Sequence, residues 1–398
     1  MTSRAIARLR GFLFLLAAAA ACSGGTEPPP PPPGAPIVTA PSAASLPVGM
    51  TYDLSATFTD TSSNAAPWSY DVDWGDGNRS TGSKSAITPI ETSHAYATQG
   101  NYTVTVAVTN SKDATGTASA TVAATAPVII TAGDIGDCGQ TSDDATGALL
   151  DDLAGIVMPL GDLAYLNGTP TEFANCYGGA WGRVKSRTRP VPGNHDYYTP
   201  GAAGYFGYFG AAAGDPAKGY YDFVLGDWLV IVINTGTEHP TDYEPGSPQE
   251  QWLRAELASH TQPCVLALWH HPRFSTVTGR DLIRPEVTGL WNALYEYGAD
   301  LILNGHDHNY QRWAPQKPDG TADAAFGIRQ ITVGTGGGES LYGFAPIPAG
   351  ANIEVRNNTT VGVLKLTLRS GGYDWAFLPA AGGTFTDSGS ATCHGRPS

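Results

Sequence analysis

Five short apolar stretches in this chain each end in side chains of the types that bind metal ions. The stretches lie at residues 128–134, 156–162, 189–196, 264–271 and 301–308. The candidate metal ligands at or just beyond their ends are Asp134, Asp162, Tyr165, Asn194, His195, the pair His270 and His271, His306 and His308. None is a cysteine, and a set of oxygen and imidazole donors favours iron, zinc or manganese over a thiolate-bound metal. Five of the nine histidines lie in these motifs, which argues for one shared site.

A short apolar run closed by a glycine is typical of a strand that is buried on both faces. Four of the five runs end in this way, at Gly133, Gly161, Gly193 and Gly305. Ligands of open α/β sheets bind beyond the carboxyl ends of the strands. If the five predicted strands share one sheet, their ends meet at one place, and the polar side chains there form a single metal site.

Predicted helices alternate with these strands. Ser142 is a candidate N-cap for a helix at residues 143–154, Ser247 followed by Pro248 marks the start of a second helix, and Pro285 opens a third. Leu and Trp residues recur at helical spacing in these segments, so we expect them to pack in the core rather than to bind a cofactor. Two antiparallel strands are expected near the C-terminus, at residues 361–368 and 373–378. The alternation of strands and helices predicts an α/β architecture.

In chain order the motifs read Gly-Asp-Ile-Gly, Gly-Asp-Leu-Ala-Tyr, Gly-Asn-His-Asp, a histidine after an apolar strand, and Gly-His-Asp-His. This order resembles the binuclear metallophosphoesterase (calcineurin-like) family, and Tyr165 resembles the purple acid phosphatases within it. The resemblance covers residues 127–379. It implies an α-β-β-α sandwich for a second domain at residues 127–398, and it implies hydrolysis of phosphate monoesters, as in an acid phosphatase.

The resemblance also implies which residue holds which metal. Fe(III) would be bound by Asp134, Asp162, Tyr165 and His308. A divalent zinc, manganese or iron ion would be bound by Asp162, Asn194, His270 and His306. The bridging carboxylate of Asp162 would hold the cations about 3.5–4 Å apart, and a hydroxide bound to them would attack the phosphorus. The ligand of the family stands two residues before a proline, here Pro272, which favours His270 over the alternative His271.

The sequence indicates less clearly which residue protonates the leaving group. By resemblance, His195 would face the substrate phosphate or leaving group, Asp196 would orient His195, and His271 is the second candidate for the general acid. Plant members carry a further histidine shortly after the fourth motif, whereas residues 272–285 contain none. This segment instead contains Arg273, Arg280 and Arg284. We expect Arg273 either to bind a phosphate oxygen or to lie exposed in the loop.

Two rival functions use the same residues. The first is a phosphodiesterase or nucleotidase that acts at the same metal site. The second is a surface-binding protein whose phosphoesterase domain is inactive, although the complete set of ligands argues against it. The formal net charge of −14 and a pI of about 4.9 disfavour a nucleic-acid partner held through its phosphates.

Residues 37–125 differ in composition from the rest of the chain and are rich in Thr, Ser, Val and Ala. Alternating apolar and polar residues at 102–108 are typical of a half-buried strand, and short strands of this kind predict an antiparallel β-sandwich. Asp-Trp-Gly-Asp-Gly at residues 73–77 and the segment 94–102 resemble the PKD domain, an immunoglobulin-like sandwich. This resemblance implies either a module that binds surface polysaccharide or protein, or a spacer. We expect His94 to be structural.

The N-terminal segment has the features of an export signal. Residues 1–22 contain three arginines, then an apolar stretch that is too short to cross a membrane, then Cys22. The Ala-Ala-Ala-Cys junction resembles a bacterial lipoprotein cleavage site, so a lipid on Cys22 would be the link to the membrane. Cleavage near Ala21 without a lipid is the alternative. Residues 23–36 form a proline-rich linker, and the protein is expected to be exported, as a cell-surface lipoprotein or in secreted form.

Apart from Cys22, the cysteines are Cys138, Cys176, Cys264 and Cys393. An even number of cysteines in an exported protein predicts disulfides, here with three alternative pairings. We predict Cys138–Cys176, which would brace the loops of the first two motifs. We also predict Cys264–Cys393, which would tie the C-terminal tail to a core strand.

Overall fold

The computed structural model describes residues 34–237, 239 and 242–395. The expected signal peptide at residues 1–22 and nearly all of the predicted linker at residues 23–36 lie outside the described residues. Within the described residues, an all-β domain precedes an α/β domain, as predicted. None of the described helices combines the length and the apolar character needed to span a lipid bilayer.

The first domain is a β-sandwich. Its strands are β1 Ile37–Val38, β2 Ala44–Pro47, β3 Thr51–Ala56, β4 Phe58–Thr59, β5 Trp68–Asp73, β6 Arg79–Lys84, β7 Ile90–Ala95, β8 Gly100–Thr109 and β9 Thr115–Thr125. One sheet has the order β2-β9-β8-β5-β6, and the pairs β3-β7 and β1-β4 complete the sandwich. Val104, Val106 and Val108 of β8 are fully buried between more exposed neighbours, which confirms the predicted alternation.

His94 has the structural role that we predicted. Its Nε2 atom lies 2.7 Å from Oδ2 of Asp76, and its ring stacks on Trp74 with a centroid distance of 5.0 Å. The hydroxyl of Tyr96 donates a hydrogen bond to the carbonyl oxygen of Trp74 at 3.0 Å. These contacts tie the Asp-Trp-Gly-Asp-Gly turn to β7.

The second domain alternates strands with helices. Its strands are β10 Val128–Thr131, β11 Ile156–Val157, β12 Tyr221–Leu225, β13 Trp228–Val232, β14 Cys264–Leu268, β15 Leu301–Asn304, β16 Tyr310–Trp313, β17 Arg329–Val333, β18 Ile353–Asn357, β19 Gly362–Arg369, β20 Gly372–Pro379 and β21 Ser388–Thr392. Its α-helices are α1 Ser142–Leu149, α2 Pro170–Glu172, α3 Gly178–Ala180, α4 Asn194–Tyr198, α5 Ala203–Phe209, α6 Pro248–Ser259 and α7 Thr288–Glu296. Short stretches of 3₁₀ or π helix lie at Phe173–Tyr177, Gly182–Arg187, Pro200–Ala202, Gly210–Ala213 and Pro285–Val287.

These strands form two sheets rather than the single sheet that we considered. One sheet has the order β11-β10-β19-β20-β21, and the other has the order β12-β13-β14-β15-β17-β16-β18. The first three motifs follow β10, β11 and the bridge between Leu160 and Val191, whereas the last two follow β14 and β15. The five strands therefore do not share one sheet, and their ends meet where two sheets pack together under helices, as the predicted α-β-β-α sandwich requires. The result is the α-β-β-α sandwich.

Two of the predicted helices begin where the sequence indicates. The Ser247 hydroxyl accepts a hydrogen bond from the Glu250 backbone N–H at 3.1 Å, and Pro248 is the first residue of α6. A 3₁₀ turn at Pro285–Val287 leads into α7. Their apolar faces lie in the core as predicted, with no exposure at Leu253, Leu257, Val287, Leu290, Trp291 and Leu294.

The bounds of α1 differ from the prediction. Ser142 is its first residue rather than its N-cap, and Thr141 precedes it without a side-chain capping bond. The helix ends at Leu149 rather than at residue 154, because the chain turns there toward the buried strand β11.

Both predicted disulfides are confirmed. Cys138 pairs with Cys176, and Cys264 pairs with Cys393. The two C-terminal strands are also confirmed as the antiparallel pair β19-β20, which joins the sheet of β10. The second disulfide links β14 of one sheet to the tail that follows β21 of the other.

Candidate metal centre

Three of the predicted ligands have backbone conformations that residues other than glycine rarely adopt. The φ angle is +63° at Asp134, +53° at Asp162 and +67° at His306. Left-handed residues of this kind cost about 1–3 kcal/mol and persist where the surrounding structure holds them, often at functional sites. At all three positions the chain turns sharply after a glycine at the end of a strand.

The glycines before these residues allow the loops to approach one another closely. A Cβ atom on Gly193 would lie 2.2 Å from the backbone nitrogen of Asp162, and a Cβ atom on Gly161 would lie 2.4 Å from Nδ1 of His270. A Cβ atom on Gly305 would lie 2.6 Å from the carbonyl oxygen of Leu160. A side chain at any of these positions would therefore push the motif loops apart.

Asp134, Tyr165 and His308 form one side of the cluster. The Tyr165 hydroxyl lies 3.1 Å from Oδ1 of Asp134 and 3.2 Å from Nε2 of His308. His308 Nε2 lies 3.3 Å from the same Asp134 oxygen. All three side chains are buried.

Asp162, His270 and His306 form the other side. His270 Nε2 lies 3.0 Å from Oδ2 of Asp162 and 3.2 Å from Nδ1 of His306. The same Oδ2 atom lies 3.5 Å from the Tyr165 hydroxyl. Asp162 therefore stands between the two sides, in the position that a bridging carboxylate requires.

The remaining predicted ligand, Asn194, is 4% exposed. Its Nδ2 group donates to the Tyr198 hydroxyl at 3.2 Å, whereas its Oδ1 atom is buried and has no hydrogen-bond partner among the described residues. A buried carbonyl oxygen without a partner costs about 1–3 kcal/mol. A cation is the kind of partner that this oxygen lacks, so the donor set fits a metal centre.

Burial and charge act in opposite directions on the groups of the cluster. Burial by itself would lower the pKa of His270, but the carboxylates of Asp162 and Asp134 raise it to about 9. Burial would raise the pKa of Asp162, and the charges of His270 and His195 lower it. Burial raises the pKa of Tyr165 well above its ordinary value, and the two carboxylates act in the same direction. Buried anions held this close need positive charge beside them.

Contacts on the far side of the histidine rings determine which nitrogen faces the cluster. His270 Nδ1 lies 2.7 Å from the carbonyl oxygen of Leu160, which leaves Nε2 toward Asp162. His308 Nδ1 lies 3.6 Å from Oε2 of Glu339, and its ring stacks on Tyr342 at a centroid distance of 4.1 Å. Metal-bound histidines are usually oriented by such outer partners.

Glu339 and Tyr342 were not predicted. They lie in a loop well beyond the last motif, and that loop has no ligand pattern of its own. Asp307 was also missed, although its place between His306 and His308 was a signal. It is fully buried and accepts a hydrogen bond from the Ser275 hydroxyl at 2.5 Å.

His271 lies beside the cluster but is turned away from the carboxylates. Its Nδ1 atom lies 3.0 Å from Oγ1 of Thr235, and its ring centroid lies 4.2 Å from that of His306. A ligand atom of His271 is within 4.8 Å of ligand atoms of His270 and His306. His270 nevertheless makes the contact with Asp162, so the geometry favours His270.

His195 lies at the edge of the cluster and is partly open to solvent. Its Nδ1 atom lies 2.7 Å from the carbonyl oxygen of Leu166, and its Nε2 atom lies 4.0 Å from Oδ2 of Asp162. Its side chain is 23% exposed, and its ring lies against Tyr165. The ring of His195 is therefore partly accessible to a molecule that approaches the cluster.

The expectation that Asp196 orients His195 is wrong. Asp196 is fully buried, and its carboxylate accepts backbone N–H hydrogen bonds from Gly193 at 2.8 Å, Leu163 at 3.0 Å and Asp162 at 3.1 Å. Asp196 is the third residue of α4, a position from which a carboxylate caps the start of its own helix. It therefore holds the second and third motif loops together, while Leu166 orients His195.

The expected roles of Arg273 are not supported either. Its side chain is buried rather than exposed, and its guanidinium donates to the carbonyl oxygens of Pro318 and Arg284 and to the Thr288 hydroxyl. With its donors used inside the protein, Arg273 braces the segment 272–285. The sequence could not reveal this, because these partners lie 11 to 45 residues away along the chain.

The two parts of the chain match two family models. Residues 33–126 match the PKD domain, and residues 126–310 match the calcineurin-like phosphoesterases. The chain therefore combines a PKD domain with a domain of the calcineurin-like phosphoesterase family.

Several curated proteins similar to this chain are purple acid phosphatases. Purple acid phosphatase 15 of Arabidopsis thaliana is 24% identical over 218 residues, which are 45% of this chain and 40% of that protein. Probable inactive purple acid phosphatase 27 of the same plant is 26% identical over 211 residues, 43% of this chain and 32% of that protein. The chain thus spans less than half the length of these curated relatives.

The fold is similar to that of a solved purple acid phosphatase from seeds of yellow lupin (Lupinus luteus). The TM-score is 0.57 at 18% sequence identity, and the match covers 91% of this chain and 75% of that one. At this identity the similarity concerns the fold.

Proposed function

We propose that this protein is an exported, metal-dependent phosphatase that hydrolyses phosphate monoesters. One observation carries the proposal. Six of the seven predicted ligands, from both sheets, meet in one buried cluster with neighbouring polar atoms 3.0–3.5 Å apart. The seventh, Asn194, has a buried oxygen without a partner among the described residues.

The proposed ligands divide into two sets that share Asp162. Fe(III) is assigned to Asp134, Asp162, Tyr165 and His308, and a divalent zinc, manganese or iron ion to Asp162, Asn194, His270 and His306. Carboxylate and phenolate oxygens suit a hard trivalent ion, and imidazole with an amide oxygen suits a divalent one. Such a pair of cations supplies Lewis-acid activation of a water nucleophile and neutralises charge on the phosphoryl oxygens.

The protein's own groups then orient the substrate and move the proton. The contact of His195 Nδ1 with the Leu166 carbonyl oxygen places a proton on Nδ1, because a carbonyl oxygen only accepts. His195 Nε2 is therefore free to bind the leaving-group oxygen and to carry a proton to it. His271 lies on the opposite side, next to His306, and remains the second candidate for this step.

Export is proposed from residues 1–22, and the two disulfides support it, because such bonds persist in oxidising compartments. Mass spectrometry of the N-terminal peptide of the mature protein tests the anchor. A lipid on Cys22 supports the lipoprotein, and an unmodified terminus near Ala21 supports secretion without an anchor. The PKD domain is proposed as a spacer or as a module for surface polysaccharide or protein.

A comparison of two substrates tests the reaction. The full chain should hydrolyse p-nitrophenyl phosphate faster than bis-p-nitrophenyl phosphate, and removal of metal by a chelator should abolish turnover. Preference for the diester would favour the phosphodiesterase or nucleotidase. Metal-loaded protein that is inert on all phosphate esters would favour the inactive surface-binding protein.

A further inference from the structure

Two arginines of the segment 272–285 line a cavity beside the proposed metal centre. The cavity has a volume of about 180 Å³, and its walls include Arg280, Arg284 and Ser275. The cavity therefore has room for several waters or for one small oxyanion.

The cavity adjoins the last metal motif through two of its wall residues. The Ser275 hydroxyl donates to Oδ2 of Asp307 at 2.5 Å, and Arg280 Nε lies 3.3 Å from Oδ1 of the same carboxylate. Asp307 stands between His306 and His308 in the chain. The cavity therefore lies on the side of the protein that carries the last metal motif, and Asp307 connects the two.

A second set of contacts links Arg280 to the centre. Its guanidinium lies 5.7 Å from the centroid of the Tyr342 ring, and Tyr342 stacks on His308. Arg280 also lines a shallow depression of about 300 Å³ together with Tyr342 and Val277. With 25% of its side chain exposed, Arg280 is open to a ligand that reaches the centre from this side.

Of the two arginines that line the cavity, only Arg280 directly contacts a carboxylate of the described residues. Arg280 pairs with the buried Asp307, whereas the guanidinium of Arg284 forms no hydrogen bond or ion pair within residues 34–237, 239 and 242–395. Asp281 and Glu286 also line the cavity, but both are exposed at its rim, where solvent screens them. Burial lowers the pKa of Arg284, the charges of Asp307 and Glu286 act in the opposite direction without direct contact, and an arginine remains charged in a protein.

We propose that this cavity binds a second anionic group on the leaving group of the substrate. The proposal rests on the proposed phosphatase function and narrows it to esters whose alcohol part carries a further phosphate or carboxylate. Arg284 supplies the free guanidinium fork, which matches the oxygens of such a group, and Arg280 supplies a second positive charge. Arg280 and Arg284 are thus specificity residues.

Binding of non-hydrolysable ligands to the metal-loaded full chain tests the proposal without turnover. The probes are methylenebisphosphonate and phosphonoacetate, each compared with methylphosphonate, which has a single anionic group. The wild type should prefer a probe with two anionic groups, and Arg284→Ala should reduce that preference by roughly tenfold or more. A comparison of the affinities for methylenebisphosphonate and phosphonoacetate shows whether phosphate or carboxylate is the preferred second group.

Two further variants show whether the preference for two anionic groups depends on the guanidinium of Arg284 or on positive charge in general. Arg284→Lys should recover only part of the preference, because lysine keeps the charge but loses the fork. Arg79→Ala removes an equally charged, half-exposed side chain from the first domain and should leave the preference unchanged. The carbonyl oxygen of Arg284, which accepts from Arg273, is kept in both Arg284 variants.

The proposal would be overturned if wild type, Arg284→Ala and Arg280→Ala all preferred the probes with two anionic groups to the same degree. The metals alone would then account for that preference. The proposal would also be overturned if the wild type showed no preference for two anionic groups. Failure of the phosphatase itself is seen separately, as absence of p-nitrophenyl phosphate turnover by the same wild-type preparation. Thermal unfolding of each variant shows whether a loss of binding reflects a loss of folding.

Discussion

The Oδ2 atom of Asp162 lies 3.0 Å from His270 Nε2 on one side and 3.5 Å from the Tyr165 hydroxyl on the other. Its Oδ1 atom accepts the backbone N–H of His195 at 2.8 Å, which fixes the orientation of the carboxylate. A carboxylate held in this way between two groups of donors is suited to bridge two cations. At the residue scale, the proposed chemistry depends on this side chain.

Tyr165→Phe tests the assignment of Fe(III). A phenolate bound to Fe(III) gives a visible charge-transfer band, and phenylalanine removes the phenolate oxygen while keeping the ring. We expect the purified variant to be colourless, as measured by its visible absorption spectrum. Tyr220→Phe, at a tyrosine that packs on Trp252, is the control and should keep the colour. Persistent colour in Tyr165→Phe would show that the tyrosinate assignment is wrong.

Glu339→Gln tests whether an outer carboxylate supports the first metal. Glu339 is the acidic side chain that faces Nδ1 of His308, at 3.6 Å, and partners of this kind strengthen a metal-bound histidine. We expect the affinity for that metal to fall by about 10–100-fold, measured by competition with a chelator. Glu256→Gln, in α6, should have no effect. An unchanged metal affinity in Glu339→Gln would show that Glu339 does not support the metal through His308.

The sequence predicted that the proposed metal ligands lie together, because each lies in a short motif at the end of an apolar run. Asp196 was expected to orient His195, and Arg273 to bind a phosphate oxygen or to lie exposed, but both side chains turn inward to backbone and hydroxyl partners. Adjacency in the chain does not give the direction of a side chain. Glu339 is brought to His308 by the folding of a distant loop, for which the sequence holds no local signal.

At the scale of elements, the motif loops depend on glycine where they cross. Gly193 is the N-cap of α4, and its Cα approaches the second motif so closely that a Cβ atom would lie 2.2 Å from the Asp162 backbone nitrogen. Asp196 joins the same two loops through three backbone N–H groups. The positions of Asp162 and Asn194 are therefore set together.

Gly193→Ala tests this close contact. The added methyl group meets backbone atoms that cannot rotate away, so we expect a loss of about 1–3 kcal/mol in the free energy of unfolding, together with loss of bound metal. Urea denaturation and metal analysis measure the two effects. In the control, Gly207→Ala in α5, the methyl group meets no atom within 4 Å and alanine favours the helix. Equal behaviour of the two variants would refute the argument.

Most elements were predictable from the sequence, but their assembly was not. The apolar runs predicted buried strands, and Ser247 with Pro248 predicted the start of α6. The division of the motif strands between two sheets followed only from the family resemblance, because a strand buried on both faces has the same pattern in either arrangement. The end of α1 at Leu149 depends on the turn toward β11, which is a tertiary constraint.

At the scale of the molecule, the two domains pack against each other. Gly49, in the turn between β2 and β3, lies so close to the second domain that a Cβ atom would be 2.9 Å from Leu225 and 3.3 Å from Ile156. A cleft of about 700 Å³ lies beside this contact and is lined by Asp53 and Arg189 among others. The PKD domain is therefore joined to the phosphoesterase domain by packing as well as by the chain.

The two disulfides should differ in what they stabilise. Replacing both cysteines of Cys264–Cys393, which are 129 residues apart, should cost up to about 5 kcal/mol of unfolding free energy and leave metal binding intact. Replacing both cysteines of Cys138–Cys176, which are 38 residues apart, should cost up to about 4 kcal/mol and also weaken metal binding. Denaturation and metal analysis measure both. Identical metal retention in the two variants would contradict the bracing role of Cys138–Cys176.

The most direct test of the central claim is the anomalous diffraction of crystals of the native protein, recorded at the absorption edges of iron, zinc and manganese. Two peaks about 3.5–4 Å apart are predicted, one on each side of the Asp162 carboxylate. One of them should lie beside Tyr165 and the other beside Asn194. A single peak, or no peak within this cluster, would contradict the account.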